Sequence, residues 1–173
     1  MKIRNSIKII LLNSKKEILL ISVDDKSITN KDKSYNGRFW QMIGGKIEEG
    51  EDIKSAATRE LFEETGLTLS DVEFGKIVWK GNLTLVMSGV ETLIRQQFIV
   101  AKTNATDVTL KNLTPEEKTV VKSLRWFSID DIKKSEEIVY PVGLDEYLVD
   151  LFKNGTPIEP VTIALDRKPN MIK

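Results

Sequence analysis

One short acidic segment, residues 45–67, constrains this chain more than any other part of its sequence. It holds seven acidic residues against three basic ones, a local charge of −4 in a chain whose formal net charge is zero. Residues 52–65 are predicted to form a helix, because apolar side chains recur four residues apart and a glycine stands where a C-terminal cap belongs. On that helix three glutamates fall within a sector of about 100°, beside the apolar stripe: Glu60, Glu63 and Glu64.

These three glutamates are expected to repel one another. Like charges four residues apart on a helix cost about 0.2–0.5 kcal/mol per pair, and Arg59 can relieve only one of the three carboxylates. An exposed acidic face is the ordinary explanation for such a cluster. Here, however, the glutamates flank the stripe that faces the core, and a predicted turn at Gly44-Gly45 brings the chain to the same region. A hard divalent cation bound through oxygen ligands is the simplest compensation.

The segment resembles the signature of the Nudix hydrolase family, G-x5-E-x7-R-E-U-x-E-E-x-G-U, where U is an aliphatic residue. All nine specified positions match: Gly45, Glu51, Arg59, Glu60, Leu61, Glu63, Glu64, Gly66 and Leu67. Weaker resemblance extends to residues 38–45, with Ile43 where the family usually has proline, and to residues 124–128. The resemblance implies an α/β/α sandwich with a mixed β-sheet, in which the signature forms a loop, a helix and a second loop.

The same resemblance implies a pyrophosphohydrolase that acts on a nucleoside diphosphate linked to another moiety, a small-molecule nucleotide, with Mg²⁺ or Mn²⁺ as cofactor. Glu60, Glu63 and Glu64 are expected to form the metal site, with Glu60 and Glu64 as direct ligands and Glu63 orienting a metal-bound water molecule or taking its proton. Glu60 is a second candidate for the catalytic role. The identity of the general base and the number of metal ions are left open.

Other residues of the segment and its flanks have predicted supporting roles. Three are expected to hold the segment together, Glu51 and Arg59 as an ion pair and Gly66 as the helix end. Three are candidates for substrate binding: Arg38, Gly44 and Gly45. The two glycines would let the backbone approach a phosphate or metal closely, and the arginine could pair with a phosphate.

A further carboxylate comes from the segment Thr114-Pro115-Glu116-Glu117, which is typical of a helix start with proline in the first turn and a capping glutamate. That capping role explains Glu117 fully in structural terms. Members of the resembled family nevertheless often draw another metal ligand or base from this region, and Glu116 or Glu117 is the candidate.

Composition narrows the possible chemistry. The 173 residues, 40% of them hydrophobic, are predicted to form a single domain over residues 1–173, with a C-terminal helix and tail at 141–173. The absence of cysteine and histidine excludes thiol catalysis and disulfides and argues against a zinc site. Zero net charge argues against general nucleic-acid or membrane binding, and no apolar run is long enough to span a membrane. A cytoplasmic protein is expected, and a homodimer is left open.

The remaining elements follow from local patterns. Strands are predicted at residues 3–12, 17–23, 39–43, 74–85, 91–102 and 124–127, with a turn at Ser88-Gly89. The polar loop 24–37 is a lid, a specificity loop or a disordered insertion. Ser128 should cap a short helix, Pro141 should open another that ends at Lys153, and residues 161–165 could add a strand. The three tryptophans are expected in the core: Trp40, Trp79 and Trp126.

Two alternative functions are weighed. The family's isopentenyl diphosphate isomerases rely on cysteine and histidine, which this chain lacks. A nucleotide-binding sensor without catalysis would typically have lost the signature's carboxylates, all of which are kept. Features associated with ADP-ribose and dinucleoside polyphosphate selectivity are absent around Asn82 and Leu83, so an oxidised nucleoside triphosphate is the default substrate.

Overall fold

The computed structural model describes residues 1–33 and 37–169, which are arranged around a single β-sheet. The strands are β1 (Lys2–Leu12), β2 (Ile18–Asp24), β3 (Ile28–Thr29), β4 (Arg38–Lys46), β5 (Val72–Met87), β6 (Val90–Thr103), β7 (Val121–Phe127) and β8 (Val161–Thr162). The helices are α1 (Ile53–Thr65), α2 (Glu117–Val120), α3 (Ile129–Lys134) and α4 (Leu144–Asn154).

Strand β1 lies at the centre of the sheet and explains its mixed character. The order is β3-β5-β6-β1-β4-β2-β7, with β8 added beside β5. β1 pairs in parallel with β6 and antiparallel with β4. Because side chains alternate along a strand, Ile7, Ile9 and Leu11 pack on one face, whereas Ile10 and Leu12 pack on the other. The predicted mixed sheet is confirmed.

Helices cover both faces of this sheet. On one face α1 buries its apolar stripe, and Leu61 in particular is fully shielded from solvent, which contributes about 1.5–3 kcal/mol. On the other face α4 packs through Leu144, Leu148 and Leu151. Trp40 and Trp79 lie buried in that second core. The α/β/α sandwich expected from the sequence is confirmed.

Two local predictions are wrong. Gly44 and Gly45 do not form a turn but lie within β4, where they pair with β1 across from Lys8 and Ile7. Pro141 does not open the last helix, because Gly143 takes a left-handed conformation (φ 89°) that precedes the helical run starting at Leu144. Pairing with β1 keeps Gly44 and Gly45 in a strand. The left-handed Gly143 delays the start of the last helix to Leu144.

The loop 24–37 and the tail are ordered in part. Within the loop, β3 pairs with the end of β5, while positions 34–36 of that prediction lie outside the described residues. In the tail, β8 is a strand of two residues parallel to β5, shorter than the predicted five. Across the described ranges, the structure contains no helix long and apolar enough to cross a membrane.

Candidate functional site

Helix α1 fixes the position of the acidic cluster. Its first turn is capped by Asp52, whose side chain accepts a hydrogen bond of 2.7 Å from the Ser55 N–H. Its end is set by Gly66 in the left-handed conformation (φ 77°), as the sequence predicted. Between these caps Glu60 and Glu64 stand one turn apart and point inward, with only 6% and 4% of their surface exposed. A helix with fixed ends therefore holds two carboxylates in a buried position.

Glu64 is held by the backbone of β4. The Gly44 N–H donates a hydrogen bond of 2.6 Å to Glu64 Oε1. Gly44 has φ 132°, and a Cβ there would lie 2.1 Å from the carbonyl oxygen of Ile7, so the position requires glycine. Burial raises the pKa of Glu64 well above its usual range, because desolvation disfavours the charged form.

Glu60 lies against the next glycine of β4. A Cβ on Gly45 would be 2.6 Å from Glu60 Oε1, so the absence of a side chain at Gly45 gives this carboxylate its place. Arg59 Nη1 donates to the same oxygen at 2.9 Å. Burial raises the pKa of Glu60, and the hydrogen bond from Arg59 opposes that shift.

Arg59 also ties the helix to the loop before it. Its Nε and Nη2 each donate a 2.8 Å hydrogen bond to the carboxylate of Glu51, and Nη2 reaches the Lys46 carbonyl at 2.9 Å. The bonds from Arg59 are the main cause that lowers the pKa of Glu51 to about 2. Glu63 has a longer contact, 3.4 Å to Arg59 Nη1, and burial raises its pKa. Glu51 and Arg59 thus stabilise the loop before the helix, and Glu63 stays loosely held.

A third carboxylate joins Glu60 and Glu64 from outside the helix. Oxygen atoms of Glu60, Glu64 and Glu117 all lie within 4.8 Å of one another. The Glu117 carboxylate also accepts a hydrogen bond from the Thr114 N–H at 3.1 Å, and the Glu117 backbone N–H donates to the Thr114 hydroxyl at 3.3 Å. These bonds close a turn before α2, which begins at Glu117 and not at Pro115 as predicted. Two other predicted candidates, Glu63 for the metal site and Glu116 for the further carboxylate, are not part of this cluster. Three clustered carboxylates, two of them buried, form an oxygen donor set that fits Mg²⁺ or Mn²⁺.

Two positively charged side chains at this site, Lys8 and Arg4, were missed by the sequence analysis. Lys8 on β1 is 7% exposed, and its Nζ donates to Gln41 Oε1 at 3.1 Å. Burial lowers its pKa, and nearby Glu64 opposes that shift. Arg4 lies on the same face of β1, where burial lowers its pKa and Glu60 raises it. The sequence did contain a signal for Lys8. It lies two residues from Ile10 in a predicted strand, so its charged side chain is expected on the same buried face.

The structure does not bring Arg38 to the site. Its side chain is 69% exposed and lies 3.9 Å from Glu137, and it does not line the cavity that holds the glutamates. That cavity has a volume of about 1130 Å³, enough for a nucleotide-sized ligand. Its lining includes the glutamates, Arg4, Lys8 and the two glycines of β4, and also residues of β5, β6 and the tail.

The buried position of Glu60 leads to a stability prediction. Glu60→Gln should stabilise the metal-free protein by about 0.5–1 kcal/mol, because it removes like-charge contacts within the cluster. Since the folded state raises the pKa of Glu60 above 4.5, protonation favours folding at low pH and this contribution is lost as pH rises. The gain from Glu60→Gln should therefore be largest at neutral and higher pH and shrink towards pH 4.5.

Thermal melts of wild type and Glu60→Gln, in chelator and in magnesium, measure this effect. Magnesium should stabilise the variant less than wild type, because ligand-linked stabilisation follows affinity for the folded state. The matched control is Glu49→Gln, which changes an exposed glutamate of the same segment. A Glu60→Gln protein that melts lower in chelator yet keeps the full magnesium shift would make Glu60 a purely structural residue.

Comparison with known proteins gives a family match over most of the chain. A model of the NUDIX domain matches residues 2–143. An RNA pyrophosphohydrolase of Actinobacillus pleuropneumoniae is 38% identical over 63 residues, which cover 36% of this chain and 29% of that protein. The oxidized purine nucleoside triphosphate hydrolase of Danio rerio is 33% identical over 106 residues, 61% of this chain and 60% of that protein. The chain thus spans less than two thirds of the length of either relative.

Comparison with solved structures gives the same fold. The MutT protein from Methanosarcina mazei Go1 superposes with a TM-score of 0.59 at 22% sequence identity, covering 90% of this chain and 97% of that one. At this identity the likeness concerns the fold alone, while the family-model match covers the acidic segment, β1 and α2.

Proposed function

The chain belongs to the Nudix family, and from that premise we propose that it is a metal-dependent pyrophosphohydrolase acting on a nucleotide. The observation that carries the proposal is the meeting of Glu60, Glu64 and Glu117 within 4.8 Å, on the wall of a nucleotide-sized cavity. Two buried carboxylates and a third beside them are costly unless a cation compensates them.

Glu60, Glu64 and Glu117 are the residues that would hold Mg²⁺ or Mn²⁺. When bound, such an ion neutralises phosphate oxygens and makes a water molecule more acidic. The protein's own part is to fix the ligand geometry: Gly44 orients Glu64 through its N–H, and Arg59 orients Glu60. Gly45 keeps the space that the Glu60 carboxylate occupies.

Glu63 is the proposed general base. The hydrogen bond that it accepts from Arg59 is long, at 3.4 Å, and burial raises its pKa, which makes it a better proton acceptor near neutral pH. The water oxygen would bond to phosphorus while the bridging P–O bond breaks. The proton would pass to Glu63, and the leaving phosphate would depart with the bond's electron pair. Glu60 and Glu117 are the other carboxylates close enough to share this role.

Arg4 and Lys8 are proposed to contact the phosphates of the substrate. Both line the cavity near the glutamates, and both are desolvated cations. An anionic substrate would replace the water that burial has removed, and such charge-assisted hydrogen bonds are stronger than neutral ones. The two residues thus balance the charge that a bound polyphosphate brings into an acidic site.

A nucleoside triphosphate, including an oxidised purine form, is the proposed first substrate. The size of the cavity and the relative from Danio rerio support this choice. A non-catalytic sensor could use the same cavity, but it would have no need for three clustered carboxylates.

Product analysis tests the proposal. The purified protein would be incubated with a panel of nucleoside triphosphates, sugar-linked nucleoside diphosphates and dinucleoside polyphosphates, with magnesium, with manganese and with chelator. Release of pyrophosphate, phosphate or nucleoside monophosphate only when metal is present is the expected result. No release from any compound with either metal would refute the enzyme assignment.

A further inference from the structure

The C-terminal tail, residues 161–169, packs into the body of the protein beyond the part that the family model matches. Its strand β8 pairs with β5 through Val161 and Thr162, and the Ile163 N–H donates to the Lys80 carbonyl at 2.9 Å. Ile163 and Leu165 are each 5% exposed and belong to the core beside α4. The tail therefore contributes to the core of the fold, although it follows residue 143, where the family match ends.

A glycine on β5 makes room for this tail. A Cβ on Gly81 would lie 2.7 Å from the Ile163 carbonyl oxygen and 2.7 Å from Leu165 Cγ. Such contacts are closer than packed atoms tolerate, so any side chain at Gly81 would push the tail away. The backbone of Gly81 is not left-handed, so the close approach of the tail is the structural reason for glycine here.

The end of the tail is held by two ion pairs. Arg167 packs against Gly143 and donates to Glu146 Oε2 at 3.0 Å, at the start of α4. Lys168 pairs with Asp32, in the loop after β3. Both pairs are largely exposed and so add little stability. They do connect the tail to α4 and to the loop after β3.

The tail lines the same cavity as the glutamates but at a distance from them. Leu165 and Asp166 share that cavity with Asn82, Leu83 and Phe98. β5 is three strands from β4, the strand of Gly44 and Gly45, which at about 4.8 Å per strand is roughly 14 Å. This spacing between the two strands exceeds the size of a pyrophosphate group, so a substrate whose phosphates lie beside β4 would have the rest of its length available to reach β5 and the tail.

We infer that the C-terminal tail is a specificity-determining wall of the substrate cavity, which contacts the nucleoside end of the substrate. This inference rests on the proposed function. The chemistry of the wall fits a nucleoside: the partly exposed Leu83, packed against the core that holds Phe98 and Leu165, offers apolar surface for a base. Asn82 and Asp166 are exposed and offer hydrogen-bonding groups for its edge or for the ribose. The cavity thus has two functional ends, one built by the family signature and the other by the tail.

The test displaces the tail without touching the metal ligands. Gly81→Ala should push residues 163–165 off β5, and Gly75→Ala is the matched control on the same strand, where the nearest atom to a new Cβ is 3.6 Å away. Binding is measured by calorimetry with magnesium, using two non-hydrolysable probes: an imido-bridged nucleoside triphosphate and imidodiphosphate. Gly81→Ala should bind the nucleotide analogue about tenfold more weakly and imidodiphosphate as wild type does, while Gly75→Ala binds both normally.

Equal weakening of both probes, or of neither, would overturn the inference, because the tail would then be a general support or no part of the site. If Gly81→Ala does not fold, Asp166→Ala decides: this exposed residue should weaken nucleotide binding alone, and unchanged binding overturns the inference. Failure of the proposed function has a different result, since wild type would then release no product whatever the probes show.

Discussion

Replacing Glu64 with glutamine is expected to lower turnover by about 10²–10³-fold and to leave the fold intact. Glutamine keeps the shape of the side chain, and its carbonyl oxygen can still accept the Gly44 N–H that holds Glu64 at 2.6 Å. What is lost is the negative charge at the most deeply buried carboxylate of the cluster. Turnover at saturating magnesium, together with thermal melts in chelator, measures both effects.

The control for this variant is Glu49→Gln, which removes the same charge from an exposed position of the acidic segment. It should keep nearly the wild-type rate. A Glu64→Gln protein with a near-wild-type rate at saturating magnesium would remove Glu64 from the proposed metal site.

Gly45→Ala is expected to reduce activity by about 10- to 100-fold with little loss of stability. The backbone of Gly45 is not left-handed, so alanine is compatible with its conformation. The new Cβ would lie 2.6 Å from Glu60 Oε1, and the mobile end of that side chain would have to shift. The substitution therefore disturbs one proposed metal ligand selectively. In a magnesium titration, the variant should need a higher magnesium concentration than wild type to reach half of its maximal rate.

Gly75→Ala serves as the control here too, because it adds the same methyl group in ordinary packing distance of its neighbours. It should leave both the rate and the magnesium titration unchanged. Full activity in Gly45→Ala would mean that the position of the Glu60 carboxylate does not matter for catalysis.

The parts of the site that could be predicted from the sequence are the parts set by local geometry. Helix α1 begins and ends where Asp52 and Gly66 indicate, and its 3.6-residue period places Glu60 and Glu64 together whatever the rest of the chain does. The bonds between Thr114 and Glu117 are equally local. That this second helix start meets α1 was suggested by the family resemblance and not by any local pattern.

The parts that could not be predicted depend on pairings between distant residues. Lys8 enters the site because β1 pairs with β4 in one particular register, opposite Gly44, and no neighbouring residue encodes that register. The same pairing keeps Gly44 in a strand where a turn was predicted. Leu165 reaches the cavity through its contact with Gly81, a pairing across more than eighty residues of sequence that only the folded chain reveals.

The central claim is that Glu60, Glu64 and Glu117 together bind a divalent cation. Titration of the protein with Mn²⁺, with the free ion followed by electron paramagnetic resonance, tests it without requiring a substrate. Wild type and Glu49→Gln should bind Mn²⁺ alike, and each single glutamine variant of the three clustered glutamates should bind it about tenfold more weakly or worse. Equal affinity in all five proteins, or no binding by wild type, would contradict the claim.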